Sequence, residues 1–253
     1  MRIEVVTLFP ELVDVVTRHG MPRVAVEQGA LQLGCTNPRD FANNRWRKVD
    51  ERPFGGGPGM VMQAEPVAQA IEHAKAELGL ATKVLMMSPQ GERMDQRWFE
   101  RLACEETLVV LCGRYEGVDE RLVAGAVDVE LSLGDFVLSG GELAAMVLID
   151  GIARLLPGVL GHAESAGQDS FSSNGLLDHP HYSRPEVWRD QAVPDVLMSG
   201  NHAALARWRL KQALGRTWLR RPDLLDKLEL DAEQQTLLRE FVSEQTKQVG
   251  GTS

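Results

Sequence analysis

"LVVLC", residues 108–112, is five apolar residues in a row between Thr107 and Gly113. A strand with one wet face alternates apolar and polar residues, so a short unbroken run suits a strand covered on both faces, the habit of parallel sheets. Similar β-rich runs stand near residues 3–8, 31–35, 83–87 and 127–131. Between them, "EPVAQAIEHAKAEL", "MDQRWFERLAC", "VDERLVA" and "GELAAMVLIDGIARLL" carry helical periodicity. This alternation predicts an α/β domain over residues 1–160, a parallel sheet with helices on both faces.

After Gly161 the texture changes to "HAESAGQDSFSSNG", small and polar, which predicts a flexible linker over 161–175. Residues 176–246 read as a small, mostly helical domain, and 247–253 as a disordered tail. In that domain one helix is expected to open at Asn201 and close at Gly215, and Asp231 with Gln234 resembles a capping box starting "AEQQTLLREFVSEQ". No internal repeat or low-complexity tract interrupts the chain.

Composition removes several function classes. The three cysteines, Cys35, Cys104 and Cys112, are far apart and form no C-x-x-C pair, so neither a disulfide framework nor a zinc site is indicated and a reducing cytoplasm is expected. No stretch approaches the ~18 apolar residues of a membrane span. The net charge of −9 argues against indiscriminate binding to nucleic acid, DNA included. Positive charge is nevertheless gathered locally: Arg207, Arg209, Lys211, Arg216, Arg220 and Arg221 fall together with no acidic residue among them, Trp208 and Trp218 are interleaved, and "RWRK" forms a second cluster at 45–48.

In open parallel sheets, ligands sit beyond the carboxyl ends of the strands. Three consecutive strand ends carry unusual loops: "MSPQGE" (87–92), "CGRYEGVDE" (112–120) and "SLGDFVLSGGE" (132–142). The last places a Gly pair before a helix, as phosphate-binding loops do, yet no lysine follows and neither the G-x-x-x-x-G-K-[ST] nor the G-x-G-x-x-G pattern occurs. Its charges are Asp135 and Glu142, which would repel a polyanion. The loop is expected to hold a neutral or cationic ligand, using main-chain groups that glycine lets come close.

The segments "RPFGGGPGMVM", "SPQG", "CGRYEGVDER", "LGDFVLSGGELAAM" and "DSF…GLLDHPHYSRPEVW…VP.VLMSGNH" resemble the bacterial tRNA (guanine-37-N1)-methyltransferases of the SPOUT class, in order from Met1 to about Phe241. The resemblance implies S-adenosylmethionine as methyl donor, a deep trefoil knot in the sheet, and a homodimer with active sites between subunits. By the matched motifs the donor pocket would take Met87, Ser88, Pro89 and Gln90 from the first loop, and Gly113, Tyr115, Glu116 and Gly117 from the second. The third would supply Leu133, Gly134, Phe136, Leu138, Gly140 and Gly141. Met86 and Phe136 stand where the family often has Tyr, and Ala144 where it often has Pro.

Methylating guanine at N1 requires removing its proton, and a carboxylate in reach is a reasonable base. By the resemblance Asp169 matches that role, whereas "QDSF" alone reads first as a helix cap or a solvated residue. Arg154 could stabilise charge developing on guanine O6, or simply face a helix dipole as a C-terminal cation. Glu116 could face the donor's positive end or help place a divalent ion; magnesium is expected from the family, but no pattern here gives a dedicated metal cage. His179 and His181 lie two apart without a third His or a Cys, and no metal is expected there. Arg207 and Lys211, four apart, with Arg220 and Arg221, would contact tRNA phosphates. The expected product is 1-methylguanine immediately 3′ of the anticodon. Methylation at another RNA position, or a noncatalytic RNA-binding role, is the alternative.

Overall fold

The structure is a computed structural model and describes residues 1–160, 169–171 and 175–247, with the backbone alone of 248–250. The linker expected over 161–175 therefore lies outside the described residues except for 169–171 and 175. The chain divides into two compact units, Met1–Ala163 and Glu164–Ser253.

In chain order the first unit contains β1 (Arg2–Val6), α1 (Pro10–Asp14), α2 (Gly20–Glu27), β2 (Gln32–Thr36), β3 (Asp50–Glu51) and β4 (Val61–Met62). There follow α3 (Ala64–Leu78), β5 (Lys83–Arg93), α4 (Gln96–Ala103), β6 (Thr107–Cys112), α5 (Glu120–Ala126), β7 (Val129–Ser132) and α6 (Glu142–Ala153). Five of the strands form one parallel sheet in the order β2-β1-β6-β5-β7. β6, the "LVVLC" strand, is its centre, and residues 108–112 are all buried.

Alternate residues of the strands feed two cores. On one face Val5, Leu85, Leu108, Val110 and Leu131 pack with Trp98 and Leu102 of α4 and Leu148, Ile149 and Ile152 of α6. On the other, Val6, Val84, Val109 and Leu111 meet Val67, Ala70 and Ile71 of α3 and Leu122 and Val123 of α5. The two-sided burial that the apolar run demanded is present.

β5 runs further than the sequence indicated. It was expected to end at Met87, but it leaves the ladder there and rejoins β7 at Glu92, and both residues lie opposite Leu131. Residues 88–91 thus bulge from a strand instead of following one. Gly91 is required by steric proximity: a Cβ on it would sit 2.3 Å from the backbone carbon of Glu130. A Gly91→Ala variant is expected to lose about 2 kcal/mol, since backbone cannot step aside as a side chain can. Thermal unfolding checks this, and an unchanged midpoint would show that the bulge tolerates the extra methyl.

Among the described residues the second unit holds a two-strand hairpin, β8 (Val187–Trp188) with β9 (Gln191–Ala192), and the helices α7 (His202–Arg220), α8 (Pro222–Leu225) and α9 (Ala232–Gly250). Asn201 caps α7 by accepting from Ala204 N at 3.1 Å. Asp231 and Gln234 exchange backbone-to-side-chain hydrogen bonds of 3.0 and 2.8 Å, the reciprocal box read from sequence. Two expectations are corrected. Gly215 does not end α7, which continues to Arg220; the glycine is there because a Cβ would lie 2.3 Å from the Phe241 ring of α9. α9 continues to Gly250, past the expected end at 246, through the helix-forming residues Gln245, Lys247 and Gln248.

Candidate functional site

The ends of β6 and β7 and the bulge of β5 converge. Gly141 N donates to Gly113 O at 2.9 Å, and Arg114 and Gly140 form an isolated antiparallel bridge. A Cβ on Gly141 would come within 2.9 Å of Cys112 Cα, so this contact also needs glycine. From below, Glu116 N donates to Met60 O at 2.9 Å and Met62 N to Gly117 O at 2.8 Å. The stretch "GPGMVM" is therefore a shelf beneath the second loop, a support that local pattern did not disclose. Tyr115 stands on this loop at φ 61°, a left-handed conformation that is uncommon for a bulky residue and that clusters at ligand clamps.

Together the three loops enclose a cavity of about 460 Å³. Met87, Ser88, Pro89 and Gln90 line it from the bulge, and Gly113, Tyr115, Glu116 and Gly117 from the end of β6. Leu133, Gly134, Phe136, Leu138, Gly140 and Gly141 line it from the segment entering α6. All the residues assigned to a donor pocket thus share one recess. Met86 and Ala144, two of the three departures, are also in its wall.

The acidity of the recess comes only in part from the residues expected: Glu116 is in its wall, but Glu142 and Asp135 are not. Glu142 is fully buried and turned elsewhere: its Oε2 lies 2.8 Å from Arg114 Nε and its Oε1 accepts from Thr7 Oγ1 at 2.9 Å. The Arg114–Glu142 contact is close but not aligned as a hydrogen bond. Arg114 also donates to Ser139 O at 3.2 Å and lies over the Phe9 ring at 4.5 Å. Glu142 is therefore a strut for the third loop, and Asp135 is exposed outside the lining. Among the described residues the carboxylates in the wall are Glu116, Glu120 and Glu130, against the single cation Arg114. Such a wall disfavours a phosphate and suits a cationic or neutral ligand. Glu120 and Glu130 were missed because each reads locally as a solvated charge beside a helix or strand end.

The family comparison agrees with this geometry. The family tRNA (guanine-1)-methyltransferase TrmD matches residues 1–227 of the chain. The chain belongs to the tRNA (guanine-1)-methyltransferase family. A tRNA (guanine-N(1)-)-methyltransferase of Nitrosococcus oceani is 61% identical over 244 residues, 96% of either chain. Another, of Halorhodospira halophila, is 58% identical over 243 residues, 96% of this chain and 92% of that one. A crystal structure of the tRNA (m1G37) methyltransferase from Aquifex aeolicus superposes with a TM-score of 0.72 at 36% identity, covering 90% of this chain and 95% of that one. A methyltransferase of this family implies a methyl donor of the S-adenosylmethionine type. Among the described residues no helix is long and apolar enough to cross a membrane.

The other residues singled out in the sequence lie outside the recess wall. Arg154 follows the last turn of α6, where its N–H donates to Asp150 O at 3.2 Å, and it is exposed. Asp169 is half-buried in the second unit, on a short segment pinned by Phe171 N to Leu176 O at 2.8 Å and by Asp178 N to Ser170 Oγ at 2.9 Å. His179 and His181 do have a third potential ligand, Asp178, and the three ligand atoms lie within 4.8 Å of one another. Asp178 is already engaged, accepting from His179 N at 2.6 Å and lying 2.7 Å from His181 Nε2. Burial pushes its carboxyl upward, but these contacts outweigh that and hold it below the ordinary value.

The four tRNA candidates are not equivalent. Arg207 pairs with Glu240 at 2.7 Å and Lys211 with Glu244 at 2.8 Å, both across to α9. Arg221 pairs with Asp223 at 2.7 Å, and Arg220 is exposed.

Proposed function

We propose that the protein transfers a methyl group from S-adenosylmethionine to N1 of guanine 37, immediately 3′ of the anticodon in tRNA. The observation that carries this is the convergence of the three motif loops on one recess whose wall bears Glu116, Glu120 and Glu130. The donor, when bound, supplies an electrophilic methyl on a positively charged sulfur. The residues present fit it: glycine-lined main chain can hold a planar base, and carboxylates tolerate a cation where they would reject a phosphate.

The protein's own residues do the rest. Asp169 takes the N1 proton, freeing the lone pair that accepts the methyl. Arg154 stabilises negative charge on O6. Glu116 faces the donor's positive end; magnesium, if required, has no cage in the sequence. The protein works as a homodimer with Asp169 supplied by the second copy, and the knot in the sheet belongs to the same reading. The dimer is supported by apolar side chains that a monomer leaves wet: Leu143 and Val147, four apart on α6, are 49% and 45% exposed, and Val137 in the adjoining loop is 85% exposed. Its place of work is the cytoplasm, in keeping with three free thiols.

The test is labelled-methyl incorporation into transcripts with guanine or another base 3′ of the anticodon, followed by mapping of the modified base. Label confined to N1 of that guanine is the expected result. Equal labelling of both transcripts would move the reaction to another RNA position.

A further inference from the structure

α7 carries its cations on two faces, and the structure treats them differently. Arg207 and Lys211 face α9, where Glu240 and Glu244 neutralise them. With 100° per residue, Arg209, Arg216 and Arg220 fall within about 40° of one another and roughly 140–180° around the helix from Lys211. Among the described residues none of these three arginines has a carboxylate within ion-pair distance. Arg209 and Arg220 are exposed and Arg216 is half-buried.

Among the described residues no ion pair of the fold uses this stripe. Like charges four apart on a helix repel, and here Arg216 and Arg220 are so placed with no acid between them. The chain has acids to spare, at a net −9, yet they serve the opposite face. From Arg209 to Arg220 the stripe is about 16 Å long at 1.5 Å per residue, enough to meet several phosphates of one nucleic-acid strand. Guanidinium is also the cation best matched to phosphate geometry.

We infer that Arg209, Arg216 and Arg220 form the phosphate-binding face for the RNA substrate, and that Arg207 and Lys211 instead clamp α7 to α9. The inference rests on the RNA substrate of the proposed function and deepens it.

The test is tRNA affinity measured from about 50 to 200 mM salt for the wild-type protein and for two charge-removed variants. R209Q/R216Q/R220Q is expected to lower the log–log salt slope by about two to three, near 0.7–0.9 for each lost contact, and to weaken binding at least tenfold near 100 mM salt. R207Q/K211Q is expected to change the slope by less than one while lowering the melting temperature. Glutamine keeps helix propensity, and the single variants R209Q and R220Q, each expected to lose about one from the slope, serve if the triple variant fails to fold. The inference is overturned if the triple variant keeps the wild-type slope, if R207Q/K211Q loses it instead, or if wild-type binding is independent of salt. A wild-type protein that binds tRNA through this stripe but transfers no methyl would sink the proposed reaction and leave the face assignment standing.

Discussion

Replacing Asp169 with Ala is expected to slow methyl transfer by about 10²- to 10⁴-fold, the range that a positioned general base contributes, while the donor binds with unchanged heat. In neutral guanine the N1 hydrogen occupies the position the methyl must take, so the attacking lone pair exists only once a base has removed that proton. The recess wall comes from loops of the first unit, whereas Asp169 belongs to the second. Removing its carboxyl therefore leaves the donor's contacts in place. The hydrogen bonds at Ser170 Oγ and Phe171 N that pin the segment do not use the Asp169 side chain and should survive. Single-turnover kinetics with calorimetry separate the outcomes. Turnover within tenfold of wild type means that another group takes the proton, and loss of donor heat means that the residue supports structure. Asp169→Asn, which keeps the shape and removes the charge, should be nearly as slow.

Glu142→Ala should have the largest effect on stability. Its loss leaves the Arg114 side chain, 19% exposed, without the one carboxylate that pairs with it among the described residues. Breaking one side of such a buried pair costs about 3 kcal/mol or more, equivalent to roughly 6–12 °C in midpoint for a unit of this size. The effect should extend to donor affinity, because Arg114 also holds Ser139 O and forms the bridge to Gly140. A double variant, Arg114→Met with Glu142→Leu, sharpens the test: apolar replacement of both partners often restores stability, but the guanidinium bond to Ser139 O that steadies the third loop is lost. Recovered melting with weak donor binding is expected. A single variant that melts within a degree or two of wild type would show that the pair is ornamental.

The outline of the first unit was legible because sheet burial imposes its own periodicity. Five strands announced themselves as apolar runs, and each lies in the sheet. What was illegible is nonlocal. That β5 resumes at Glu92 depends on pairing with Leu131, some forty residues later. At the start of a helix Glu142 reads as a dipole-facing acid, and only the fold reveals that Arg114 claims it. Gly215 looked like a helix terminator because glycine usually is one; its role as a notch for Phe241 needs the second helix in place. The β8–β9 hairpin turns on Arg189 and Asp190, both at positive φ, without the Asn-Gly or Asp-Gly pair that normally marks such a turn. The basic run on α7 was visible at once, but dividing it into clamped and unclamped faces required Glu240 and Glu244, thirty-three residues distant from their partners.

A recess assembled from peptide groups has a consequence for how it can change. Where glycines and a bulged strand form part of the wall, side-chain changes such as those at Met86, Phe136 and Ala144 trim the rim and leave that backbone frame intact. Redrawing the mould means adding atoms at Gly91 or Gly141, where there is no room for them. A synthetic inhibitor that reads the peptide groups alone would leave the protein few routes to resistance.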